Sequence, residues 1–223
     1  MMSRRNAIPD FVYPNRCGFC ADTIKNDKMI CCRCFKKVEF LSDNTLPVFS
    51  SSLHFDGLFV SCRYDGLVKS GILRLKSSRA FNTARYICTD LADRIERAYD
   101  SIGKIDLITC IPMSEKQKKS REYNQAEVIA RRLSHELGVP FVDGLIVKAD
   151  TSFHQHDQSV RLRRELADLV YMANADARCA QMVKGKTVLV CDDIVTTGST
   201  LSKCAKVLKD EGASKVYAAA LAG

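Results

Sequence analysis

The chain has 223 residues, 46% of them hydrophobic and 27% charged, and a formal net charge of +8. That length supports one sizeable core plus a small appendage. The apolar runs fall short of the ~20 residues of a membrane-spanning helix, which excludes membrane insertion, and the N-terminus has no apolar signal segment, so the expected compartment is the cytoplasm.

Eleven cysteines are many, and five crowd into "CGFCADTIKNDKMICCRC". Cys17 and Cys20 make one C-x2-C knuckle, and Cys31 and Cys34 make a second. Paired knuckles of this spacing suit tetrahedral zinc, so a structural Zn²⁺ site is expected on Cys17, Cys20, Cys31 and Cys34. Cys32 is a surplus thiol that could replace Cys31. Four thiolates leave no open coordination position, so the metal is a folding staple rather than a catalyst. Residues 1–40 are read as a zinc ribbon, 41–56 as a connector rich in Ser, Asp, Asn and Pro, and 57–223 as the main domain.

Along that domain, "LFVSC" reads as a short strand and "YDGLVKSGILRLK" as a weakly periodic helix. Ala84, Cys88, Leu91, Ile95 and Ala98 recur at helical spacing within 79–99. "IDLITCIP" is a continuous apolar run closed by proline, as in a strand buried on both faces. "AEVIARRLSHELG" is an amphipathic helix with glycine at its end. "TVLVCDD", "TLSKCAKVLKDEG" and "SKVYAAALA" give a strand ending at Asp192, a helix beginning near Ser199 and a last strand. Alternating strands and helices predict an α/β fold: a parallel sheet flanked by helices, with ligands beyond the carboxyl ends of the strands.

"VLVCDDIVTTGST" lies at such an end. Thr196, Thr197, Gly198, Ser199 and Thr200 form a turn into a helix N-terminus, where backbone N–H groups, hydroxyls and the helix dipole suit a phosphate dianion. Asp192 and Asp193 stand too near to be phosphate ligands. They suit the vicinal hydroxyls of a ribose 5-phosphate, and Mg²⁺ held through water. An N-capped strand–turn–helix explains one or two of the hydroxyls, but not paired acids, a glycine and four hydroxyls together. The loop after Pro112 carries Lys116, Lys118, Lys119 and Arg121, with Met113 and Ser114 in the preceding turn. A basic loop is commonly just solvated. Beside a phosphate site it becomes a candidate pyrophosphate grip, with Met113, Ser114 and Lys116 as its contacts. The histidine pair in "HQH" reads as solvated.

These segments resemble a known family. "VLVCDDIVTTGST" is similar to the phosphoribosyl-pyrophosphate signature of type I phosphoribosyltransferases. "IPMSEKQKKSREYNQA", "YDGLVKSGILRLK" and the four-cysteine ribbon resemble the ComF family within that superfamily, with Glu122 and Tyr123 standing where the family has glycine and phenylalanine. The resemblance implies a type I phosphoribosyltransferase-like sheet with an N-terminal zinc ribbon. It implies phosphoribosyl pyrophosphate or a related phosphoribosyl ligand with Mg²⁺, and Asp192, Asp193 and Arg121 as catalytic residues. It also implies a role in natural transformation near single-stranded DNA, beside a competence helicase. Two other readings stand next to it: a salvage phosphoribosyltransferase, and a non-catalytic zinc-ribbon interaction module. Basic groups at Arg161, Arg163 and Arg164 add to the case for a DNA groove.

Overall fold

The structure is a computed structural model that describes residues 14–42, 53–78, 80–114, 117, 123–148 and 170–223. Four parallel strands make the central sheet: β1 (Gly57–Cys62), β2 (Leu107–Cys110), β5 (Thr187–Ile194) and β6 (Lys215–Ala222), in the order β1-β6-β5-β2. Their apolar runs are buried almost throughout, as strands covered on both faces require. Beyond β2 the sheet gains one further parallel bridge, Ile108 to Phe141. The last strand is rich in alanine (Ala218, Ala219, Ala220 and Ala222, all fully buried), so small side chains let the layers close on it.

Two helices, α3 (Phe81–Ile102) and α4 (Gln125–Leu137), lie side by side against the sheet. Their apolar stripes supply Ile87, Leu91, Ile95, Ile129 and Leu133, each inaccessible to solvent. The glycine expected to close α4 does so: Gly138 takes a left-handed φ of 64° and its N–H reaches Ser134 O. The helix α6 (Ser199–Asp210) packs on β5 and β6 through Leu201, Cys204 and Leu208. A short hairpin, β3 (Ile146–Lys148) antiparallel to β4 (Tyr171–Ala173), packs against α6, and a short helix α5 (Ala177–Val183) leads into β5. Neither the hairpin nor α5 is marked by periodicity in the sequence.

One sequence expectation is corrected. The strand does not end at Asp192. It continues to Ile194, because β6 runs far enough to pair Asp192 with Ala220 and Ile194 with Ala222. The two acids are therefore held in the last residues of a paired strand rather than in a loop.

The ribbon ends in a one-turn helix, α1 (Cys32–Phe35), and joins the main core through α2 (Gly66–Ser78) and α3. Phe19 is 2% exposed and meets Tyr86 of α3 edge-on. Thr83 Oγ1 donates to Gly18 O at 2.8 Å and contacts Gly71 O at 3.3 Å. A side chain at Gly18 would place its Cβ 2.3 Å from Thr83 N, so only glycine permits this approach. After α1 the chain runs back along the sheet edge. Phe40 bridges to Cys62, and Leu41 N–H donates to Ser61 O at 2.8 Å.

Candidate functional site

The metal centre follows from the knuckles. The thiols of Cys17, Cys20, Cys31 and Cys34 all lie within 4.8 Å of one another, and Cys20 and Cys31 sulfurs are 3.6 Å apart. A zinc ion with bonds of about 2.3 Å in a tetrahedron needs sulfurs about 3.8 Å apart, so the residues fit the ion. Cys31 faces the cluster and accepts from Cys34 N–H at 3.5 Å, whereas Cys32 points to solvent. The choice left open by the sequence thus falls on Cys31. That amide hydrogen bond, followed by smaller effects, draws the Cys31 thiol down to about 7.

The second site is at the carboxyl end of β5. Val195 N–H donates to Ala222 O at 2.9 Å and the Val195 side chain is buried, which anchors the start of the turn. Thr196, Thr197 and Ser199 are exposed around it. Gly198 sits at φ 73°, ψ −2° and caps α6 without a side-chain bond, so the first amides of the helix stay directed at the turn. Thr197 Oγ1 accepts from Ser199 N–H at 3.3 Å. Residues 196–201 with Asp192 enclose a small cavity of about 40 Å³. Burial pushes the phenol of Tyr171 up to about 12. Tyr171 in turn lies beneath the ammonium of Lys148, 5.3 Å from its ring centre.

The two acids differ. Asp193 pairs with Lys76 of α2 at 2.6 Å. Asp192 accepts from Asp193 N–H at 2.8 Å, but loss of water around it, followed by the charge of Asp193, raises it to about 7. Of two adjacent carboxylates, one is fixed by a cation and the other is poised between protonation states.

The turn after β2 supplies the third part. Met113 and Ser114 are half-buried there, and Ser114 N–H donates to Gln117 Oε1 at 3.0 Å. Asn124 explains the "NQA" pattern structurally. Its side chain accepts from Ala126 N–H at 3.1 Å, capping α4, and donates to Ile111 O at 2.9 Å, tying the helix to the strand end. Lys116 and Arg121 lie outside the described residues, as do Lys118, Lys119, Arg161, Arg163, Arg164 and the "HQH" pair. Lys76, Tyr171 and Asn124 were given no site role by sequence reasoning. Lys76 and Asn124 stand inside segments the sequence singled out, whereas Tyr171 carried no signal.

Comparison with known proteins agrees with this geometry. Residues 123–223 match the family described as phosphoribosyl transferase domain, and residues 8–56 the family described as double zinc ribbon domain. Among the described residues the ribbon holds one four-cysteine cluster. A DNA utilization protein YhgH from Salmonella typhi is 30% identical over 145 residues, 64% of this chain and 61% of that protein. The protein of that name from Escherichia coli (strain K12) is 26% identical over 212 residues, 90% of this chain and 86% of its own length. A Competence protein F from Haemophilus influenzae is 22% identical over 208 residues, covering 92% and 89%.

Proposed function

We propose that this chain, in which a zinc ribbon precedes a phosphoribosyltransferase-like domain as in the ComF family, binds phosphoribosyl pyrophosphate or a closely related phosphoribosyl ligand and serves the handling of incoming single-stranded DNA. The observation that carries the ligand is the strand end: paired acids on β5, then an exposed hydroxyl turn with Gly198 at φ 73° opening α6. A 5-phosphate dianion fits the amides and hydroxyls of Thr196–Thr200, where the helix dipole favours negative charge. Asp192 and Asp193 lie upstream, where ribose hydroxyls follow the phosphate. Lys76 holds Asp193 in place and leaves its remaining lone pairs to accept. The Met113–Ser114 turn, pinned by Asn124, faces the pyrophosphate end in this reading, with Lys116 and Arg121 as cationic partners.

The carboxylates also fit Mg²⁺ held through water, and the ion would neutralise the pyrophosphate it accompanies. Loss of pyrophosphate from the anomeric carbon leaves positive charge on the sugar, so a neighbouring carboxylate supports it electrostatically. The names of the relatives, DNA utilization and competence, support the DNA role; a helicase companion rests on the family resemblance alone.

Calorimetric titration with phosphoribosyl pyrophosphate and Mg²⁺ tests the site. Wild type is expected to bind, and Asp193→Ala and Thr197→Trp to weaken binding about tenfold or more, the scale of one lost charge-assisted hydrogen bond. Unchanged isotherms for both variants would make the motif structural. Pyrophosphate release in the presence of candidate nucleobases then separates a transferase from a binder.

A further inference from the structure

A cavity of about 770 Å³ that includes none of the β5 acids lies between the ribbon and the junction of α2 with α3. Arg16 comes from the ribbon, Arg74 from the last turns of α2, and Arg85 from the first turns of α3, and Asn15, Asn82 and Phe81 complete the part that concerns us. Among the described residues the lining contains three guanidinium groups and no carboxylate, beside Cys17 of the metal cluster. Among the described residues none of the three arginines forms an ion pair. Arg16 donates to Ala21 O at 3.1 Å and Arg85 to Asn82 Oδ1 at 3.2 Å, so both are oriented by neutral acceptors. Arg74 Nε is buried without a hydrogen-bond partner among the described residues. Solvated arginines on a surface keep their heads in water. A buried donor with no acceptor is costly, and three like charges around one concavity repel, unless an anion takes the place between them. The N-terminus of α3 opens on the same space, and its cap residue, Ala80, offers no side-chain acceptor.

We propose that this notch is a second phosphate site, taking a nucleotide phosphate, either of a free nucleotide or of a single-stranded chain. The volume lies in the range of small-molecule sites and exceeds what one phosphate fills. Phe81, 38% exposed, stands at the rim with Tyr123 edge-on at 5.2 Å, a braced aromatic face on which a base stacks. The site is distinct from the strand-end turn. Lys76 turns to Asp193, while Arg74, two residues earlier on α2, lines the notch, so the helix separates the two anion sites. The proposal stands or falls independently of phosphoribosyl binding.

The test uses the full zinc-loaded chain and fluorescence anisotropy with a short labelled oligothymidylate at low salt. Wild type is expected to bind and to lose affinity as salt rises. Arg74→Gln combined with Arg85→Gln is expected to weaken binding about tenfold or more, Arg74→Lys with Arg85→Lys to restore most of it, and Lys206→Gln, an exposed cation on α6 outside both sites, to leave it unchanged. Zinc content and melting curves matching wild type establish that the double variant is folded; should it fail to fold, Phe81→Ala, at an exposed position, replaces it with the same expectation of weakened binding. Competition with thymidine monophosphate and with unlabelled strand separates the sources: displacement by both indicates a free-nucleotide site, displacement by strand alone a polymer site, and each supports the notch. Absence of binding at low salt, equal affinity in the arginine-to-glutamine double variant, or an equal loss in Lys206→Gln instead overturns it.

Discussion

Asp192 carries the strongest consequence at the level of single residues. Its carboxyl titrates near 7 in the folded chain against an ordinary value of 3.8, chiefly because it is cut off from water. The fold therefore favours the neutral form, so this group's contribution to stability is complete below about pH 3.8 and is lost as pH rises through about 7. Asp192→Asn, which stays neutral throughout, is expected to melt at a higher temperature than wild type. The gap should widen from about pH 5.5 to about pH 7 and level off above. Scanning calorimetry across that range checks it, and a gap independent of pH would mean that something other than ionisation is relieved. In the proposed site the carboxylate accepts from ribose hydroxyls, and on that reading affinity for phosphoribosyl pyrophosphate should rise over the same interval. Stability and binding are thus set against each other at one side chain. The adjacent acids were legible in the sequence because they are contiguous. Their inequality was not, since it depends on how far folding cuts Asp192 off from water and on Lys76, a residue far away in the chain that α2 pairs with Asp193.

Among the elements, α4 shows how a pattern that reads as a motif can be a joint. Asn124 caps the helix and also grips Ile111 O at the end of β2. Asn124→Ala removes both contacts. A lost N-cap costs about 1 kcal/mol, and the released carbonyl adds to that, so urea unfolding should report a loss of about 1–2 kcal/mol. The Met113–Ser114 turn loses its anchor in the same variant, and ligand affinity should fall with it; Asn124→Asp, which retains the cap acceptor but not the donor, should recover stability more than affinity. The helices and strands of the sheet were readable from the sequence because their apolar periods are long: 3.6 on α3 and α4, continuous on β2, β5 and β6. The β3–β4 hairpin was not, because strands of three residues are too short to show a period and form only where α6 gives them a surface. The end of β5 was misplaced for a related reason: strand pairing extends as far as its neighbour allows, and β6 runs through Ala222.

For the whole molecule, ribbon and sheet share one core. The cysteine cluster was readable from local spacing, but its docking was not, because Gly18 and Thr83 meet through tertiary packing. Cys34→Ser should abolish stoichiometric zinc in metal analysis, whereas Cys32→Ser, at an exposed thiol outside the cluster, should keep about one ion per chain. Zinc retained by the first variant, or lost from the second, would contradict the assignment of ligands. Gly18→Ala should leave the four thiols able to bind metal and yet disturb the seam, since the added methyl meets the backbone at Thr83. The expected result is bound zinc with a lowered melting temperature.

The short helix α2 has four neighbours. Its Gly71 carbonyl meets Thr83 of α3, Tyr123 ahead of α4 donates to Leu75 O, Lys76 holds Asp193 on β5, and Arg74 borders the ribbon. Such a strut cannot shift at one end and stay put at the other. Whatever steadies it from the ribbon side also steadies Lys76, and a ligand that draws on Asp193 pulls in the opposite sense on the ribbon. If the proposed ligand binds at Asp193, thermodynamic reciprocity governs the pair: should removing zinc weaken phosphoribosyl binding by some factor, the bound ligand must strengthen the hold on zinc by that same factor. On that reading the metal is more than a clasp for the ribbon: its occupancy becomes a variable that the end of β5 registers.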